Sequence, residues 1–175
     1  KETCIIREPN LEDIRDDELP VTYLIDNYHY FDRDGLYGYF DDGERFAFFC
    51  RAVLAMLPLI DFKPDIIHCN DWQTAPISMI LKETYKYDQF YQNIITVCTI
   101  HNLWYRGNFP PIMLDFFELP KDILTADKVE FYGEFSFLKA GIVYSDIVTT
   151  VSKTYAKEIQ TYDYGEGMDG LLRMY

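Results

Sequence analysis

Positive charge is scarce in this sequence. Sixteen Lys and Arg stand against 29 Asp and Glu, a formal net charge of −13. That balance opposes binding to nucleic acid or to an anionic membrane surface. No apolar run is long enough to cross a bilayer, and no signal peptide is recognisable. Glycine-rich phosphate cradles are also missing: neither a P-loop nor a dinucleotide fingerprint is present. The four cysteines, Cys4, Cys50, Cys69 and Cys98, lack CxxC spacing. They read as small buried hydrophobes in a reducing compartment rather than as a disulfide framework. Internal repeats and low-complexity tracts are absent.

What is present is a chain of 175 residues, enough for one domain with a sizeable core, and unusually rich in Tyr and Phe. Such rings can stack on sugars, although core and interface packing is their ordinary use. The organising stretch is Lys63–Lys82, KPDIIHCNDWQTAPISMILK. An apolar, β-branched run at Asp65–Cys69 leads into Asn70, Asp71 and Trp72. Thr74 follows as a possible helix cap, and a helically patterned segment runs to Lys82. A second short apolar run at Ile94–Ile100 also ends in polar residues, His101 and Asn102. One helix-length segment separates the two runs, so a βαβ unit with parallel strands is expected. Open α/β sheets bind ligands outside the carboxyl ends of their strands. Neighbouring strands lie about 4.8 Å apart, which would place Asp71 and His101 within roughly 10 Å of each other in one crevice. An intervening third strand would stretch that distance but keep both groups on the same edge.

Around this unit the pattern predicts further elements. Lys1–Pro20 reads as a loop or lead-in, Val21–Ile25 as a strand, and Asp26–Phe40 as an irregular surface loop carrying Tyr37. Asp41 and Glu44 form a candidate capping box for an amphipathic helix ending near Pro58. Leu103–Asn108 is an irregular loop, and Pro110–Pro111 opens a short helix through Phe117. A helical pattern covers Glu134–Tyr144, and Ile147–Val151 is a third parallel strand. Ser152 then caps a helix through Ile159, and Tyr162–Gly170 reads as a turn-rich loop.

His68 beside Cys69 suggests a metal site, but adjacent strand residues face opposite sides and neither has a ligand partner one helical turn away. His68 is expected to be a satisfied buried histidine, and no metal or cofactor is expected. Asp71 with His101 leaves two readings open. In one, the carboxylate orients an imidazole that activates Ser152, although no Gly-x-Ser-x-Gly elbow surrounds that serine. In the other, the site grips a polyhydroxylated ligand: Asp71 and Asn102 bond hydroxyls while Trp72 and Tyr105 cover apolar sugar faces.

The residues themselves resemble a family. Tyr23–Asp26 with Phe31–Gly35, ERFAFFCR at Glu44–Arg51, HCNDWQT at His68–Thr74, TIHNLWYRGNF at Thr99–Phe109, EFSFLKAGIVYSDIVTTVSKTYAKEI at Glu134–Ile159 and GEGMDGLL at Gly165–Leu172 are similar to the N-terminal domain of bacterial glycogen and plant starch synthases, glycosyltransferase family 5. The resemblance implies a GT-B fold, two Rossmann-like α/β domains facing across a cleft. Residues 1–175 would be part of the N-terminal domain, a parallel sheet with helices on both faces. It implies transfer of glucose from ADP-glucose to the non-reducing end of an α-1,4-glucan with retention of configuration. By motif, His101 and Asp71 would be the catalytic pair, with Asn102, Trp72, Tyr37 and Tyr105 binding substrate. A bacterial cytoplasm or a plant plastid would be the setting. Gln73 stands where many relatives have His and is assigned no catalytic role. The family's glycine-rich phosphate loop and its C-terminal nucleotide-sugar domain have no counterpart in these residues. The chain is therefore expected to be a piece of something longer, inactive alone, and silent on ADP- against UDP-glucose.

Overall fold

The computed structural model describes residues 2–9 and 20–175. Strand β1 (Ile5–Arg7) pairs antiparallel with β2 (Leu24–Asp26), so part of the expected lead-in is a strand, while residues 10–19 of it lie outside the described residues. A four-residue helix, α1 (Tyr28–Phe31), interrupts the segment expected to be wholly irregular, and the side chain of Asn27 caps it by accepting from the Tyr30 amide. The long helix α2 (Asp42–Leu59) follows. Its expected capping box does not form. The Asp41 carboxylate pairs with Arg33, and Glu44 accepts from the Tyr30 hydroxyl, because partners from the preceding segment take both carboxylates.

Strand β3 (Ile66–Asn70) passes directly into the single turn α3 (Asp71–Thr74) and then α4 (Pro76–Glu83). Thr74 ends the first turn instead of capping the second. Its hydroxyl bonds back to the amide and carbonyl of Asn70, and Pro76 opens α4. After β4 (Ile95–Ile100) comes a two-residue strand β5 (Asn108–Phe109), then a 3-10 helix over Pro111–Phe117 and a second over Lys121–Ile123. Strands β6 (Glu130–Phe131) and β7 (Glu134–Ser136) complete a small antiparallel sheet in the order β5-β7-β6. The helix expected from Glu134 thus begins only at Phe137. Phe135 and Ser136 pair across to Phe109 and Asn108, and the Ser136 hydroxyl caps α5 (Phe137–Tyr144) by accepting from the Lys139 amide. Strand β8 (Ile147–Thr150), α6 (Lys153–Glu158) and α7 (Asp169–Leu172) end the chain, and Ser152 caps α6 as expected, accepting from the Tyr155 amide.

The main sheet is parallel, in the order β3-β4-β8. No strand intervenes between β3 and β4, and Cys69 stands opposite Cys98, which stands opposite Val148. Alternation divides the sheet into two faces. Cys69, Cys98 and Ile100 are buried on one, beneath α4 and α5. Gly141 permits that contact, since a Cβ there would come within 2.5 Å of the Ala75 Cβ and 2.9 Å of the Cys98 sulfur. The other face carries Ile66, His68, Ile95 and Ile147 in the open. His68 is therefore exposed rather than buried, because it sits on that uncovered face. Its Nε2 lies 2.6 Å from the Thr99 hydroxyl, which in turn meets Thr149 at 2.7 Å. Helix α2 packs on α3 and α4 from the far side of the core, with Cys50, Leu54 and Leu57 turned inward. No helix is long and apolar enough to cross a membrane among the described residues.

Candidate functional site

The carboxyl ends of β3 and β4 deliver Asp71 and His101 to one point. Asp71 follows the last residue of β3 and takes a left-handed backbone, φ +57°, a conformation that Asp tolerates better than most residues. Its carboxylate accepts from the His101 backbone amide at 2.7 Å and faces the imidazole Nδ1 at 2.9 Å. A carboxylate can only accept, so Nδ1 carries the hydrogen and Nε2 is left with its lone pair available to a ligand. Both side chains are partly open to solvent, His101 the more so. The bond therefore holds the ring of a residue that a ligand can still reach.

Beside this pair stands an aromatic group. The Tyr37 ring meets Trp72 edge-on at 6.1 Å between centroids and Tyr105 at 5.8 Å. Tyr37 and Tyr105 are exposed, whereas Trp72 is only 5 % exposed. Trp72 is thus not an open platform for a sugar. It is packed by Phe46 at 4.9 Å, Phe109 at 5.7 Å and Phe137 at 6.4 Å, so it forms the floor against which Tyr37 stands. The exposed ring beside Asn102 is instead Trp104, whose amide donates to the Asn102 side-chain oxygen at 3.0 Å. The Asn102 amide group remains at the surface of the same loop.

That loop is fastened at both ends. The Leu103 amide donates to the Tyr155 hydroxyl at 3.0 Å. The first amides of α5, those of Phe137 and Leu138, donate to the carbonyls of Gly107 and Arg106. Gly107 was not singled out by the sequence, yet it governs the floor. Its φ is +60°, and a Cβ there would fall 2.4 Å from Trp72 Cε3. A glycine within the aromatic run Trp104–Phe109 was the available signal. A cavity of about 500 Å³ is lined by Tyr37 together with Phe31, Arg33, Arg45, Phe46 and Gln73.

Ser152 takes no part in this arrangement. It lies past β8, and its hydroxyl is used by the Tyr155 amide at the start of α6. The buried thiols are equally uninvolved. Burial pushes Cys69 and Cys98 up to about 12, and Cys50 well above its ordinary value. His68 and Cys69 face opposite sides of β3, as alternation requires.

Comparison with known proteins places this geometry in a family. The family model described as "Starch synthase catalytic domain" matches residues 6–174. The glycogen synthase of Moorella thermoacetica is 54% identical over 172 residues, which cover 98% of this chain and 35% of that protein. The glycogen synthase of Desulforudis audaxviator is 55% identical over 155 residues, covering 89% of this chain and 31% of that protein. Among solved structures, the catalytic domain of starch synthase IV from Arabidopsis thaliana, bound to ADP and acarbose, superposes with a TM-score of 0.80 at 33% identity. That match covers 87% of this chain and 32% of the other. The chain thus spans about a third of the length of the relatives it matches, and it belongs to the starch synthase catalytic domain family.

Proposed function

We propose that these residues are the N-terminal-domain part of a glycogen or starch synthase with a GT-B fold. The whole enzyme takes glucose from ADP-glucose and adds it to the non-reducing end of an α-1,4-glucan with retention of configuration. The observation that carries this reading is the Asp71–His101 pair, set at the ends of adjacent parallel strands. A retaining glucosyl transfer builds positive charge on the sugar, and fixed groups around that sugar act by position and electrostatics. Asp71 holds the imidazole in one tautomer and orientation. His101 Nε2 and the Asn102 amide bond sugar hydroxyls. Tyr37 and Tyr105 border the ring, and Trp72 supports Tyr37 from below. Donor phosphates are bound by the remainder of the full-length protein, since the described residues hold no glycine-rich cradle. An adenine nucleotide as donor is supported by the ADP held in the starch synthase IV structure, and a glucan acceptor by its acarbose. The bacterial relatives support a cytoplasmic setting, with the plastid as its counterpart in plants.

A transfer assay with radiolabelled ADP-glucose and glycogen tests this. The full-length protein should label the glucan, and residues 1–175 alone should not. Failure of the full-length protein to label would overturn the function, and turnover by residues 1–175 alone would overturn the division of labour.

A further inference from the structure

Tyr37 sits on a segment with little to hold it. Between Asp32 and Phe40 the chain has no regular structure, and Leu36, Tyr37, Gly38 and Phe40 are all exposed. Yet the peptide groups on both sides of Tyr37 are pinned by a single buried ion pair. Asp42 is 5 % exposed and Arg45 2 %, and they face each other across the first turn of α2. The Asp42 Oδ2 accepts from the amides of Gly38 and Tyr39, the latter at 3.1 Å. The Arg45 Nη2 donates to the Leu36 carbonyl at 3.3 Å, and its Nε donates to the Tyr30 carbonyl at 2.7 Å. The guanidinium also lies over the Tyr39 ring, 5.0 Å from its centre.

Burying an ion pair costs desolvation that its mutual attraction does not reliably repay, and apolar replacements are often as stable. Here the pair's remaining bonding capacity goes to the backbone of an exposed loop, on either side of one tyrosine. We infer that Asp42 and Arg45 are positioning residues for the transfer reaction, fixing Tyr37 over Trp72 so that its ring meets the bound sugar in one orientation. The inference rests on the proposed function, and specifically on Tyr37 as a sugar-contacting residue.

A double-mutant cycle in the full-length protein tests it. Tyr37→Ala and Asp42→Asn should each lower kcat/KM by about ten- to a hundredfold, the range expected when a substrate-contacting group is misplaced. The double variant should be no worse than Tyr37→Ala, since Asp42 would then have nothing left to position. Additive losses would overturn the proposal. A Tyr37→Ala variant with unchanged kcat/KM would overturn the role of Tyr37 in the function itself, and the proposal with it. A second measurement separates the two failures without using activity. The component of acrylamide quenching that Trp72→Phe removes reports Trp72, and Asp42→Asn should raise it as Tyr37 swings away. Unchanged quenching would show that Tyr37 has not moved, and would overturn the positioning role whatever the kinetics. Arg45→Lys, which keeps the buried charge but cannot reach both carbonyls, should act in the same direction by both readouts. If Asp42→Asn fails to fold, Arg45→Lys decides the matter on the same criteria.

Discussion

The Asp71 carboxylate binds His101 twice, through the backbone amide at 2.7 Å and through the imidazole Nδ1 at 2.9 Å. One bond fixes where the loop after β4 begins, and the other fixes which way the ring faces. Asp71 manages both because its left-handed backbone turns the side chain across the strand ends. Two adjacent parallel strands therefore act as a frame for one oriented imidazole.

The floor of the site depends on Gly107. Gly107→Ala should drive its Cβ against Trp72, in a backbone conformation that L side chains rarely adopt. We expect a loss of about 1–3 kcal/mol in unfolding free energy, the usual cost of overpacking, together with a shifted Trp72 emission maximum. Urea unfolding followed by fluorescence measures both, and a variant with wild-type stability and emission would show that the floor tolerates a methyl group.

The thiols should be inert in the folded protein. Burial raises Cys50, Cys69 and Cys98 so far that almost none is thiolate at pH 8–9, and thiolate is the reactive form. Cys4 is partly exposed and raised less. Titration of residues 1–175 with Ellman's reagent should therefore find one accessible thiol under native conditions and four in denaturant, and elemental analysis should find no stoichiometric zinc. Rapid native reaction of three or four thiols, or one zinc per chain, would contradict this.

Much of this arrangement was legible in the sequence because strands ending in Asn-Asp-Trp and His-Asn announce themselves by an abrupt change from β-branched to polar residues. Parallel pairing then followed from the single helix-length connection, and the Ser152 cap from local chemistry. The misreadings have a common cause. Asp41 and Glu44 have the spacing to serve local backbone amides, but Arg33 and Tyr30 compete for them in three dimensions, and Thr74 turns back to Asn70 one turn earlier. Glu134–Ser136 has helical periodicity, yet Phe135 and Ser136 pair with a strand that lies 26 or more residues earlier, and Glu134 with the adjacent β6. The exposure of His68 and the burial of Trp72 both depend on which faces are covered, and a short pattern does not encode that.

Asp146 should make stability depend on acid. Burial opposes its charge, but the Lys82 ammonium and the amide and hydroxyl of Thr96 outweigh burial and hold the carboxyl below its ordinary 3.8. A carboxyl depressed in the folded state contributes stability above its unfolded value and loses it as pH falls through the folded one. Asp146→Asn should thus lower the melting temperature near pH 7, and the deficit should narrow as pH falls below 3.8. A deficit of equal size at both pH values would mean that the charge is not what matters.

Steady-state kinetics of the full-length protein test whether Asp71 and His101 act together on the transferred sugar. His101→Ala and Asp71→Ala should each lower kcat by about a hundredfold or more, the scale of losing one preorganised stabilising group. The KM for ADP-glucose should change far less, which marks a loss confined to the transition state. Ser152→Ala should leave kcat nearly intact, because its hydroxyl serves only the Tyr155 amide. Abolished activity in Ser152→Ala, with His101→Ala mainly raising KM, would contradict the assignment and turn attention to hydrolytic chemistry.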